Sequence, residues 1–125
     1  MHGSKPISRL KDQLCEALRE HLATGEAPTL PEAGRLLWGF YVDLAGTRTY
    51  HNAGPNPISY AEIEAWRREH RWPLEPHHID IIRALDAVWL EYAYASMKAR
   101  RDGGKVIPRR SGQAVNPDAF DAVFS

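Results

Sequence analysis

The chain has 125 residues, enough for one compact domain that buries roughly two thirds of the surface of its unfolded form. Its formal net charge is zero, which disfavours unspecific binding of the whole chain to nucleic acid or to an anionic membrane. A single cysteine excludes an intramolecular disulfide, and no apolar run has the length of a membrane span or a signal peptide, so we expect a cytoplasmic protein.

Two amphipathic helices are predicted first along the chain. Apolar residues recur at helical spacing over about residues 6–23, and Gly25 stands where such a helix ends. A second stripe of apolar residues covers about residues 31–45, with Pro31 at a favourable first position and Gly46 at the end. The turn-forming segment "GTRTYHNAGPNP" that follows is expected to be a loop.

The third predicted helix, about residues 59–71, begins with a complete start signal. Ser59 and Glu62 have the spacing of a capping box, in which each side chain accepts a hydrogen bond from the backbone N–H of the other. Ile58 before the cap and Ile63 after it are placed to form a hydrophobic staple. We therefore expect this helix to begin at a well-defined point.

The fourth predicted helix, about residues 76–101, is the longest and carries one acidic residue near its apolar stripe. Asp86 lies beside Leu85, so its carboxylate needs a buried partner. Arg83, the indole of Trp66 or a backbone N–H across the helix pair could serve. A structural role for Asp86 is more probable than a catalytic one, because no second acid or base stands near it in sequence.

The fold class predicted from these patterns is all-α: a compact four-helix domain over residues 1–101. No period-2 run of β-branched residues occurs, so no sheet is expected. Residues 102–125 are predicted to form a basic linker and a short amphipathic helix over about residues 117–124. Phe120 and Phe124 would lie on one face of it and need a surface to pack against.

Neither metal nor catalytic chemistry is indicated, and no cofactor is expected. Adjacent His77 and His78 on a helix point about 100° apart and do not form the i, i+4 pair that zinc sites use. Cys15 lies near an apolar stripe with no histidine beside it, which is typical of a buried thiol. The chain contains no phosphate-binding glycine motif and no recognisable catalytic triad, so an enzyme is not expected.

A basic patch covers the end of the fourth predicted helix and the linker after it, and supports an alternative function in nucleic-acid association. Against it, the rest of the chain is net acidic, and the helix that would read bases begins "PHHIDIIRALD", without base-reading side chains where they would be needed. We therefore rank this alternative second. The patch comprises Lys98, Arg100, Arg101, Lys105, Arg109 and Arg110.

The segments "LLWGFYVDLAGTR", "GPNPISYAEIEAW" and "PLEPHHIDIIRALDAVWLEYA", in this order, give the sequence a specific family resemblance. It resembles a group of small tailed-phage and prophage proteins, the tail assembly chaperones. Two departures are that "REHRW" replaces the expected turn after the third helix and that His77 and His78 replace a common Trp-Glu pair. The match spans residues 8–94, through Ser8, Leu10, Leu37, Trp38, Phe40, Leu44, Gly54, Pro55, Pro57, Ile58, Glu62, Ile63, Trp66, Leu74, Ile82, Leu85 and Asp86.

The resemblance implies a non-enzymatic role in the cytoplasm of a bacterial host. Such proteins bind the helical tape-measure protein, keep it soluble before the tail tube polymerises around it, and are absent from the mature virion. The major tail tube protein is a second candidate partner, and oligomerisation is left open. The residues expected to bind a partner are Trp38, Phe40, Tyr41, Trp66, Trp89, Tyr92, Phe120 and Phe124.

We further expect an apolar groove for a client helix. The third and fourth helices, with Trp66 set against Trp89 and Ile82, would form a hairpin that encloses this groove together with the second helix. The terminal segment "PDAFDAVFS" would occupy the groove until a client displaces it.

Overall fold

A computed structural model of the protein describes residues 4–103, and it is predominantly helical over this range. The predicted helices one to four are all present, and the second begins with a single turn of 3-10 helix. The elements in chain order are α1 (Ser4–Thr24), a 3-10 helix (Glu32–Gly34), α2 (Arg35–Ala45), β1 (Tyr50–His51), β2 (Gly54–Pro55), α3 (Tyr60–His70) and α4 (Pro76–Gly103).

The expectation that no sheet forms is wrong in one detail. Strands β1 and β2 pair antiparallel, with Tyr50 opposite Pro55 and His51 opposite Gly54. Gly54 has a φ of 141°, which only glycine adopts without strain, so the turn-forming residues close a tight hairpin here. Strands of two residues are too short to show the alternating pattern by which strands are recognised in sequence.

The core lies between α4 and the two helices that pack most extensively against it, α1 and then α2. Each helix presents one apolar face, and the loop residue Ile58 also reaches the interior. Removal of these side chains from water is the main source of stability. The largest fully buried side chains are Leu14 and Leu18 of α1, Tyr41 and Leu44 of α2, Ile63 of α3, and Ile81, Ile82 and Leu85 of α4.

Helix α3 begins with the predicted capping box. The Ser59 hydroxyl accepts the Glu62 N–H at 3.1 Å, and the Glu62 carboxylate accepts the Ser59 N–H at 2.8 Å. Ile58 and Ile63, on either side of the cap, are both buried. Local sequence therefore determines where α3 starts.

Trp66 anchors α3 on α2. Its indole N–H donates to the carboxylate of Asp43 at 2.6 Å. Its ring meets Phe40 edge to face, with 5.4 Å between the ring centroids. We expected Trp66 to set α3 against α4 through Trp89, whereas these contacts join Trp66 to the C-terminal half of α2.

None of the helices within residues 4–103 combines the length and the apolar character that crossing a membrane requires.

Candidate functional site

An apolar groove of about 630 Å³ lies at the end of the molecule where α1 and α4 begin. Four segments line it, so it depends on the packing of the whole helical assembly. Leu36 is 64% exposed although it is a large apolar side chain, and it stands in the groove wall. The apolar lining includes Pro6, Ile7 and Leu10 of α1, Leu36, Leu37 and Phe40 of α2, Trp72, Pro73 and Leu74 of the α3–α4 connection, and Ile81 of α4.

The connection between α3 and α4 forms one wall because the chain turns sharply after α3. Arg71 takes the left-handed conformation, with a φ of 60°, and ends the helix. The N–H of Trp72 donates to the Arg67 carbonyl at 3.0 Å, which directs the indole back toward α2. There it lies against Phe40, with the ring centroids 4.7 Å apart. Pro73 then prevents the chain from continuing as helix.

Among the described residues, the polar lining of the groove contains no acidic side chain. It consists of Arg9 and Gln13 from α1 and of His77 and His78 from the first turn of α4. Such a surface suits an apolar ligand that carries negative charge at its border.

The two histidines lie against each other, with ring centroids 4.0 Å apart. Nδ1 of His78 accepts the N–H of Glu75 at 3.0 Å, so His78 must be neutral at that nitrogen. Burial, with a smaller contribution from the charge of His77, lowers the pKa of His78. Across the described part of the chain, no group of three or more His, Cys, Asp or Glu side chains is arranged to hold a metal ion.

A buried polar network joins α2, the loop after it and α4. One carboxylate oxygen of Asp86 accepts the Tyr41 hydroxyl at 3.1 Å and also forms an ion pair with Arg48. The other oxygen accepts the N–H of Ile58 at 2.9 Å. The side chains of Arg48 and Asp86 are only 3% and 4% exposed. Asp86 thus has a structural role, and a backbone N–H is one of its partners as expected.

Arg48 is the residue that sequence reasoning missed. Besides pairing with Asp86, it donates to the carbonyl of Asn56 at 2.9 Å and lies 4.1 Å from the centre of the Trp89 ring. The two side chains that we considered as partners of Asp86 have other partners: the guanidinium of Arg83 stacks on Tyr60, and the Trp66 indole donates to Asp43.

A signal for Arg48 was present in the sequence. A buried carboxylate requires a cation, and the turn-rich loop after α2 contains one arginine, at the end of the motif "LLWGFYVDLAGTR". Tyr41 responds to the same surroundings, because burial and then the Asp86 carboxylate raise its pKa well above the ordinary value.

Most of the residues expected to bind a partner lie in the core. Trp38, Tyr41, Trp66 and Trp89 are each at most 8% exposed, so their side chains pack within the protein and have little surface to offer a partner. Tyr92 is half-buried against the same core. Phe40 is also buried, but it lines the groove. Phe120 and Phe124 lie outside the described residues.

The groove itself differs from the expected one. We expected α2, α3 and α4 to enclose it, but α1 forms a major wall and α3 contributes only through the connection that follows it. The reason is that α1 packs most extensively against α4, a tertiary contact that the periodicity of single helices does not predict.

The basic patch offers no comparable site in its described half. Lys98 donates to Asp102 at 3.0 Å, and Nε of Arg101 lies 3.9 Å from the same carboxylate. These pairs offset part of the positive charge at the end of α4. Lys105, Arg109 and Arg110 lie outside the described residues.

Cys15 is buried, and burial raises the pKa of its thiol, which disfavours the reactive thiolate.

Comparison with known proteins gives one match. A family model described as phage tail assembly chaperone matches residues 12–91, which is more than half of the chain. No curated protein and no solved structure matches. The matched range includes the buried network and most of the groove lining, from Gln13 to Ile81.

Proposed function

Because the chain belongs to the phage tail assembly chaperone family, we propose that it binds helical segments of the tape-measure protein in the groove and keeps them soluble before the tail tube polymerises. Family membership supports a role in tail assembly and implies a non-catalytic one. The observation that carries the finer proposal is the apolar groove of about 630 Å³ beside the exposed Leu36.

A tape-measure protein is a suitable client because its helices expose apolar stripes while no tube yet covers them. An amphipathic helix binds a groove through apolar side chains at positions i, i+3, i+4 and i+7. The walls from α1, α2 and the α3–α4 connection present apolar side chains to receive them. The network of Tyr41, Arg48 and Asp86 supports these walls from the core side by joining α2 to α4.

Release before tail completion requires moderate affinity. A groove of this size accommodates a few anchor side chains and not a whole interface, so each groove binds its client weakly. Several copies of the protein bound along one client hold it more firmly than one copy does. We propose that the protein acts in the host cytoplasm and leaves before the virion is complete. The major tail tube protein remains a second candidate partner under this proposal.

The proposal is tested by co-expressing the full chain with the tape-measure protein of the same phage and measuring how much of the latter stays soluble and copurifies. Leu36→Asp should abolish both effects, since it places a charge in the apolar wall. Tyr50→Asp is a matched control, because Tyr50 is 53% exposed and does not line the groove. If Leu36→Asp retained full solubilising activity, the groove would not be the client site.

We also propose that the terminal segment, residues 117–125, competes with clients for the groove. They fall outside the described residues, and the argument rests on sequence: Phe120 and Phe124 would share one face of a helix. Removal of the chain from Gly112 onward should tighten client binding. Unchanged affinity in a titration with the same client would rule out this competition.

A further inference from the structure

We infer that the groove selects apolar helices whose stripe is bordered by carboxylates, an inference that rests on the proposed function and deepens it by specifying the client's chemistry. The groove is positive at its border, and three features of the described residues show this independently of each other.

The first feature is Arg9. It lines the groove from α1, its side chain is exposed, and within the described residues it takes part in no ion pair and no hydrogen bond. Two acidic side chains beside the lining segments are paired: Asp80 with Lys11 at 3.2 Å, and Glu32 with Arg35 at 3.4 Å. Arg9 has no such pair among the described residues, so its positive charge is available to a client carboxylate.

The second feature is the convergence of helix starts. Pro6 and Ile7 belong to the first turn of α1, and His77 and His78 to the first turn of α4. The N-terminal end of a helix carries partial positive charge, and neither α1 nor α4 has an acidic residue in its first turn to neutralise it.

The third feature is the apolar setting. Leu36, Phe40 and Trp72 give the groove an apolar lining, and electrostatic attraction is stronger beside such a low-dielectric surface than in bulk water. His77 and His78 add ring N–H donors at the same edge, where the carboxylate of Glu75 lies 3.7 Å from Nδ1 of His77. A client carboxylate that follows the apolar anchors would meet these groups and Arg9.

The probes are three synthetic amphipathic helices of equal length with one leucine stripe, bordered by glutamates, glutamines or lysines. Their affinities for the full chain are measured by fluorescence anisotropy at low ionic strength. An exposed ion pair changes affinity about threefold, so the glutamate peptide should bind about threefold more tightly than the glutamine peptide, and the lysine peptide should bind most weakly. Raising the salt concentration to about 1 M should remove the difference, because the screening length falls to about 3 Å.

Arg9→Glu should reverse the order of the glutamate and lysine peptides. Arg19→Glu is the matched control: it makes the same change of charge in the same helix, but Arg19 does not line the groove and pairs with Glu16. This control should leave the order unchanged.

The outcomes separate the two proposals. Equal affinities for the glutamate and lysine peptides, with all binding lost in Leu36→Asp, would overturn the charge selection and leave the groove as a client site. A preference that persists in Arg9→Glu would also overturn it. If none of the peptides bound, the proposed function would fail together with this inference.

Discussion

The carboxylate of Asp86 in α4 accepts a hydrogen bond from the backbone N–H of Ile58, at 2.9 Å, one residue before the cap of α3 at Ser59. The same carboxylate accepts the hydroxyl of Tyr41 from α2 and is paired with Arg48 from the loop. A single buried side chain thus connects three successive parts of the fold to α4. The start of α3 is positioned from the core as well as by its own capping box.

Asp86→Asn should strongly destabilise the protein. The substitution keeps the shape of the side chain but leaves the guanidinium of Arg48 buried without its counter-charge, which costs about 3–5 kcal/mol of unfolding free energy. Denaturant titration measures the difference. Asp80→Asn, in the same helix, is the control: it breaks the exposed pair with Lys11 and should cost less than about 1 kcal/mol.

The double variant Arg48→Met with Asp86→Asn sharpens this test. Each single change leaves one buried charge without its partner, whereas the double change removes both charges. The loss of unfolding free energy in the double variant should therefore be smaller than the sum of the two single losses. Strict additivity would show that Arg48 and Asp86 stabilise the fold separately, contrary to the pairing in the structure.

Tyr41→Phe should cost about 2 kcal/mol, because it removes a hydroxyl that donates to Asp86 and accepts from Arg48 at 3.3 Å, while Arg48 stays on the same Asp86 oxygen. Alkaline unfolding gives a second readout. Since the folded state raises the pKa of Tyr41 above 10.0, the unfolded chain loses its proton first, and this contribution to stability is lost as the pH rises above about 10. Tyr41→Phe should remove that part of the alkaline decline, and an unchanged pH profile would contradict it.

The sequence predicts those features of the fold that are formed by residues close together in the chain. The capping box of Ser59 and Glu62 involves atoms only three residues apart, so residue identity at two positions was enough. The partner of Asp86 lies 38 residues earlier in the chain, in a loop whose path depends on tertiary packing. The need for a buried partner could be predicted, whereas choosing Arg48 among the candidate cations required the path of that loop in the folded protein.

An apolar groove was predicted, but its walls were assigned to the wrong helices, and the reason is the same. Apolar periodicity shows that a helix has a buried face, but it does not show which helix covers that face. Trp66 and Trp89 looked suited to partner binding because they are large and aromatic, yet both fill the core. The lining residues Leu36 and Trp72 received no such role, because exposure is a property of the assembled fold.

Ser59→Ala should destabilise the protein by about 1 kcal/mol through loss of the α3 cap. Ser59→Asp retains a side-chain acceptor at the cap and should be close to the parent in stability. Thermal unfolding of the three proteins under identical conditions measures the order. If Ser59→Ala unfolded at the parent temperature, the Asp86 contact with Ile58 would suffice to position α3 without the capping box.

Mild acid should weaken the groove wall at the start of α4 through His78. Burial and the charge of His77 lower the pKa of His78 from its ordinary 6.5, so the unfolded state binds this proton more readily than the folded state. The contribution to stability is therefore fully present above about pH 6.5 and is lost as the pH falls through the folded-state pKa. Protonation also removes the acceptor that His78 offers to the N–H of Glu75.

His78→Asn isolates this contribution, because the asparagine side chain contains an acceptor oxygen and does not titrate. Its unfolding free energy should fall less than that of the parent between about pH 7 and pH 5. His77→Asn should have a weaker effect in the same direction, since it removes the charge that helps to lower the pKa of His78. Parallel pH profiles for the parent and His78→Asn would show that the start of α4 is insensitive to this proton.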